Sequence, residues 1–369
     1  KMSCVPKEIR FFYYCFLAFG KCHFPKTKHK CAYVATLIFN IFTIILTGFI
    51  LITNIISLPL RGNLGLNLSQ TYYGLAGHIS AFVSSVVMFL MSERDQFYYK
   101  FSASEVVTTF KDKLVKYVFI PTAVLTVVSM GCTLVIFMAE DVNLKTIETC
   151  YKSRQMIDKD CIATYDLIFS LFTTLPNVVI PIYISAYTHL IGREYAVLYK
   201  AMKDCQELFS FQDNNIESFR LKYNNICLRV ENFAENHGIL LSTSFAWLII
   251  SLVTCGYNFF APQYVPLKYL WPATIYTSLT IVISFLGPMS LLNEAKKPLE
   301  LMSTADMKHA SERTMIQTLM FTESARNFNG LSMAGFMNMD KPAALGILGV
   351  IVTYVLVVVQ YQPVLEVHN

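Results

Sequence analysis

Seven stretches of twenty or more residues contain no Asp, Glu, Lys or Arg: 31–60, 62–92, 117–139, 167–192, 238–267, 269–293 and 342–365. A helix that crosses a bilayer needs about 20 apolar residues, so each stretch predicts one crossing. Two shorter runs, FFYYCFLAFG at 11–20 and NFNGLSMAGFMNM at 327–339, suit buried or interfacial positions instead. Between the fourth and fifth crossings, apolar residues recur at helical spacing as Leu198, Met202, Cys205 and Leu208, then as Phe219, Ile226, Val230 and Phe233. The turn signal Asp213-Asn214-Asn215 divides them, which predicts an antiparallel helical hairpin over 193–237. Within 294–330, a further long amphipathic helix is predicted from Pro298 to Phe328, offering Met302, Met307, Met315, Leu319 and Met320 for packing. These faces suit packing inside one subunit and packing between subunits equally. With no internal repeat, low-complexity tract or Gly/Ser linker, residues 1–369 read as a single all-α integral membrane domain with helical extensions.

Composition agrees: 54% of the residues are hydrophobic and 15% charged, too apolar a balance for a soluble chain of this size. Of the 30 basic residues, 24 fall in 1–30, 93–116, 193–237 and 294–341, and 6 in the alternate segments. The positive-inside rule therefore predicts a cytoplasmic N-terminus and, after seven crossings, an extracellular C-terminus. The net charge of +5 reflects that topology and calls for no nucleic-acid partner. No signal-peptide pattern precedes the first crossing. The one N-x-S/T sequon, at Asn67, falls in the first outer connection and is a candidate glycosylation site close to the membrane. Of ten Cys, only Cys150 and Cys161 fall in an outer loop, where a disulfide persists; a pair of free thiols is the alternative.

The last crossing has two unlike faces. Asp340 and Pro342 mark a helix start, as N-cap and first-turn residue. At 100° per residue, Gly346, Gly349, Thr353, Val357 and Gln360 share one stripe with Tyr361 at its edge, while Leu348, Val352, Val355 and Val359 lie opposite. An unpaired amide in hydrocarbon costs several kcal/mol, roughly, so the Gln360 stripe needs a partner. Two readings fit. The stripe packs on a neighbouring helix, small residues allowing close approach; or several copies surround an axis, with Gln360 lining an aqueous path that Val357 and Tyr361 constrict.

TYVLVVVQY at 353–361 resembles the TYhhhhhQF signature, h being apolar, near the end of arthropod gustatory receptors. The preceding FNGLSMAGFMNMDKPAALGI is similar to that family's lead-in to its final helix, and Tyr361 stands where the family usually has Phe. The likeness is specific over about the last 40 residues; elsewhere only the crossing profile, the inside N-terminus and the helix extensions agree. It implies a subunit of a tetrameric, ligand-gated, nonselective cation channel in the plasma membrane of a chemosensory neuron dendrite. Thr353, Val357, Gln360 and Tyr361 would then be pore and gate residues on 342–365, four Gln360 amides facing one axis. The implied partners are a small tastant, permeating cations, membrane lipids, other copies of the chain and possible further gustatory subunits. No cofactor or metal is expected.

A tastant arriving from outside meets the outer halves of helices two to six. Residues there with hydrogen-bonding or aromatic groups are Tyr72, Tyr73, His78, Asp166, Phe169, Thr254, Tyr257, Asn258, Trp271, Thr274 and Thr277. The Tyr and Trp residues equally suit an interfacial belt, Asp166 a helix start in solvent, and His78 a satisfied interior position. Glu366 lies where it can draw cations to an outer mouth or stand as a solvated tail carboxylate. A G-protein-coupled receptor is a weaker alternative, since its N-terminus lies outside and neither D/E-R-Y nor NPxxY is present. A secondary transporter would offer repeated halves or midplane charges. Enzyme signatures such as HExxH, GxGxxG and the P-loop are missing from the sequence.

Overall fold

The structure is a computed structural model that describes residues 7–24, 30–62, 68–93, 113–139, 175–208, 213–260, 267–304 and 311–366. Its elements are α1 (Lys7–Ala18), α2 (Lys30–Gly62), α3 (Leu68–Glu93), a π-helical turn (Val115–Phe119) leading into α4 (Ile120–Ala139), α5 (Leu175–Leu208), α6 (Asp213–Phe260), α7 (Leu267–Ser303), α8 (Glu312–Arg326), the two-residue strands β1 (Ser332–Met333) and β2 (Met337–Asn338), and α9 (Lys341–Glu366). Among the described residues, four helical spans are long and apolar enough to cross a membrane: Lys30–Thr53, Leu75–Glu93, Asn215–Gly256 and Thr274–Ser303. Residues 167–174, the start of the predicted fourth crossing, lie outside the described residues.

Helix α2 shows which solvent the fold is built for. Ile38, Phe42, Ile45, Phe49, Ile52 and Ile56 follow the helical repeat along one side and are all exposed, whereas Asn40, Thr43 and Thr47 on the other side are buried. A soluble protein would turn this helix round. An apolar exterior over a polar interior is the arrangement hydrocarbon favours, because lipid offers no hydrogen bond while a neighbouring helix does. Thr43 and Thr47 meet that need locally, donating to the Phe39 and Thr43 carbonyls at 2.9 Å each. The chain is a multi-pass membrane protein.

The centre is α5, whose residues Pro176 through His189 are buried without a break. It lies along α7, with the two helices running in the same direction. Ser185 donates to the Ile283 carbonyl at 2.7 Å and accepts from the Gly287 amide at 2.8 Å, and His189 Nδ1 meets Ser290 Oγ at 3.0 Å. Gly287 permits the approach, since a Cβ there would overlap the Ser185 carbonyl. Tyr183 and Tyr187 carry the core outward to Phe12 and Phe16 of α1 and to Phe233 and His237 of α6.

Helices α5, α6 and α7 run on beyond their apolar parts and carry the same core onward to α8. Of the positions picked out by helical spacing, Leu198, Met202, Phe219, Ile226, Val230 and Phe233 are buried, Cys205 is half-buried, and the side chain of Leu208 lies outside the described set. Tyr195, Tyr223 and Phe321 meet edge to face, with ring centroids 5.1 Å apart in each of the two pairs. Arg229 pairs with buried Glu194 at 2.9 Å and Arg313 with Glu217 at 3.2 Å. The long helix expected from Pro298 to Phe328 is instead two: α7 ends at Ser303, and α8 begins after Ser311, whose hydroxyl accepts the Thr314 amide at 3.1 Å. That cap satisfies an otherwise orphaned first-turn donor and makes a new start favourable. Met302 packs inward, Met307 lies outside the described residues, and Met315, Leu319 and Met320 are exposed, because α8 turns Thr314, Phe321 and Ala325 to the core.

Between α8 and α9, β1 and β2 form an antiparallel hairpin pairing Ser332 with Asn338 and Met333 with Met337. Gly335 at φ +78° and Ala334 at φ +49° make its turn. The hairpin presses on α6 so closely that a Cβ at Gly238 would lie 2.6 Å from the Ala334 amide nitrogen. Asp340 then caps α9, its carboxylate accepting the Ala343 amide at 2.9 Å.

Candidate functional site

Helix α9 is seated by one edge. Ile347 and Ile351 are buried, and Val355, one turn on, packs against Gly256 of α6, where a Cβ would meet its methyl group at 2.6 Å. The predicted stripe points away from that seam. A Cβ on Gly346 or Gly349 would find nothing within 4 Å, Thr353 and Gln360 are exposed, and Val357 is 40% exposed. Thr353 returns its hydroxyl to the Gly349 carbonyl at 2.8 Å. Tyr361 lies on the same helix, beyond the last described side chain at Gln360. Within one chain, the described part of this stripe therefore packs on no neighbouring helix.

A second set of buried polar groups lies on the N-terminal parts of α5 and α7, where the C-terminal part of α6 packs against α7. Counted back from the Ser185–Ile283 contact, Asn177 stands eight residues earlier on α5, and Thr277 and Thr280 stand six and three residues earlier on α7, or about 12, 9 and 4.5 Å along their helices. All three are fully buried, and both amide atoms of Asn177 and both threonine hydroxyls lack a hydrogen-bond partner among the described residues. Thr277 and Thr280, three residues apart, share one face. Buried polar atoms left unpaired cost roughly 1–3 kcal/mol each, so these four atoms, all toward the start of α5 and α7, make a candidate site that a hydrogen-bonding molecule would stabilise. Thr274, a turn earlier on α7, is half-buried and bonds the Cys255 thiol of α6.

Of the residues predicted to meet a ligand, Thr274 meets α6 at Cys255, Thr277 is buried on α7, and Thr254 is half-buried on α6. His78 is buried on α3, beside Gly77, over which the Trp247 indole nitrogen lies. Tyr72 and Tyr73 are on α3, Tyr257 and Asn258 on α6 and Trp271 on α7, with side chains outside the described set; Asp166, Phe169, Asn67, Cys150 and Cys161 lie outside the described residues. Sequence reasoning missed Asn177 and Thr280. The signal was there for Asn177: it is a lone amide in LPNVVIPIYI, the same oddity that singled out Gln360.

The two sites are one helix apart. Cys255 faces Thr274 on α7, and the next residue, Gly256, faces Val355 on α9. Two consecutive residues of α6 thus touch α7 and α9.

No family model matches the chain, and no curated protein sequence matches it. Its fold is similar to solved structures of the insect olfactory receptor OR5 from Machilis hrabei. With the eugenol complex the TM-score is 0.73 at 14% sequence identity, covering 96% of this chain and 98% of that one. With a second structure of the same receptor the TM-score is 0.64 at 15% identity, over the same shares of both chains.

Proposed function

We propose that this chain is a gustatory receptor subunit, a ligand-gated nonselective cation channel that four copies form around their last helices. Its seven crossings place the N-terminus in the cytoplasm and the C-terminus outside, in the plasma membrane of a chemosensory cell. The TYVLVVVQY signature and the fold shared with an olfactory receptor that binds eugenol support the chemoreceptor class, and favour neither the G-protein-coupled nor the transporter alternative.

The observation that carries the reading is the adjacency of Thr274, Cys255, Gly256 and Val355. A small polar or amphipathic tastant held by Asn177, Thr277 and Thr280 changes the packing of α7 on α6, and α6 carries α9 on Gly256. Ligand that binds better when α9 splays shifts the population toward the open state by that difference in affinity. Opening moves Val357 and Tyr361 off the axis. Gln360 carbonyl oxygens replace part of the hydration of a passing cation.

Cells expressing the whole chain, screened by calcium imaging with sugars and bitter compounds, test the receptor assignment. For a responding ligand, Gly256→Leu is expected to raise or abolish basal current by unseating α9 while surface expression persists, and Gln360→Ala to change unitary conductance or reversal potential. Unchanged currents in Gln360→Ala would remove this helix from the pore. An unchanged dose response in Asn177→Leu would remove these polar groups from the ligand site.

A further inference from the structure

Residues Gly20–Phe24, between α1 and α2, are packed lengthwise into the groove between α2 and α3. Gly20, at φ +63°, lies against Phe39 and Thr43 of α2, and two turns nearer the start of α2 the Phe24 amide donates to Thr36 Oγ1 at 3.1 Å. Between them, Lys21 is wholly buried. Its Nζ reaches the Ala81 carbonyl of α3 at 3.0 Å, Ser85 Oγ at 2.5 Å and Ser84 Oγ at 3.4 Å. No carboxylate is among these partners. A carboxylate would pin the ammonium form, whereas hydroxyls serve both: each accepts from an ammonium, and either can turn its proton toward a neutral amine.

We propose that Gly20–Phe24 is a proton-controlled latch, in which the Lys21 amine gives up its proton as the N-terminal helix docks in the α2–α3 groove and regains it on leaving. What the latch holds is α1, whose Phe12 and Phe16 pack on Tyr183 of the central helix α5. Leaving the groove exposes Lys21 to water, and docking removes it. Burial lowers the docked amine from its ordinary 10.5 to about 7. The docked form therefore binds fewer protons than the free form between those values, and docking strengthens as pH rises through that window. Below pH 7 both forms are protonated and the burial penalty on docking is complete.

The other titratable groups facing this stretch are identifiable. On the stretch itself are Cys22, whose thiol burial pushes well above its usual range, and His23, whose Nε2 pairs with Glu93 of α3 at 3.2 Å. Tyr13 of α1 donates to the His23 carbonyl, and Tyr33 of α2 donates to Glu93. Tyr183 faces Cys22 from α5, with His237 of α6 beyond it. Residues 34–53 of α2 hold no ionisable side chain.

The test is hydrogen exchange of α1 amides in the full chain in lipid nanodiscs, corrected for intrinsic rates, between pH 6 and pH 8. By linkage the wild type is expected to lose roughly tenfold in protection on going from pH 8 to 6, levelling off below about pH 7. Lys21→Met, permanently neutral, is expected to keep high protection with no such loss, and Lys21→Arg, permanently charged, to show low protection at both values. Ser84→Ala with Ser85→Ala, which removes the groups that solvate the charge, is expected to move the levelling-off to lower pH. Equal α1 protection at pH 6 and 8 in the wild type overturns the latch, and so does an undiminished tenfold loss in Lys21→Met, which would assign it to a group other than Lys21.

Discussion

Helices α5 and α9 are both apolar enough to be read as crossings, yet they occupy opposite situations. Helix α5 is buried on every side from Pro176 to His189, although it carries Asn177, Ser185, Thr188 and His189. Of the described side chains of α9, only Ile347 and Ile351 are buried, while Leu345, Leu348, Val350, Val352, Tyr354 and Leu356 are 45–70% exposed. The more polar helix is the core and the greasier one the rim, the reverse of a soluble bundle. In water, burial follows apolar area. In lipid that driving force is absent, and helices with hydrogen-bonding groups gather where partners are. The comparison also separates two kinds of glycine: Gly287 fills a contact inside the chain, whereas Gly346 and Gly349 face nothing in it.

That contrast can be broken by substitution. The largest effect is expected from Gly287→Ala, because its methyl group would overlap backbone at Ser185 and force α5 from α7; such overpacking costs about 1–3 kcal/mol or more. Thermal unfolding in detergent should show a clearly lowered midpoint and reduced monodisperse yield. Ser185→Ala removes a donor and an acceptor across the same seam without adding bulk. It is expected to cost about 0.5–1.5 kcal/mol in the same assay. Asn177→Leu removes an amide with no partner among the described residues, so unfolding should be unchanged or slightly delayed. Smallest is Gly346→Ala, expected to leave the unfolding of a monodisperse single chain unaltered. A loss comparable to that of Gly287→Ala would mean that the stripe is buried within the subunit.

Much of the fold was legible before any tertiary contact was known. The uncharged runs at 31–60, 117–139 and 342–365 match α2, α4 with its π-helical lead-in, and α9 within a few residues, because helix length in a bilayer is set by composition alone. The buried seam of the 193–237 hairpin was legible for the same local reason. The break before α8 was not, because Ser311 is one of several polar residues there and nothing in the local pattern singled it out as the cap. In the candidate site, Gln360 stood out as an isolated amide in an apolar run, and Asn177 offered the same cue but gained meaning only beside Thr277 and Thr280.

What the sequence determined by itself is the uncharged helices α2, α4 and α9, the start of the last one at Asp340 and the two faces that helix presents, since caps and 100° periodicity are properties of neighbouring residues. Only the tertiary structure decided that α5 is the centre, that Gly256 seats Val355, and that Lys21, one basic residue among thirty in the sequence, is sealed from water beside two serines. Those facts depend on the register of one helix against another. Register is fixed by close approaches such as Ser185 on Gly287, between residues about a hundred positions apart, and no local pattern carries it.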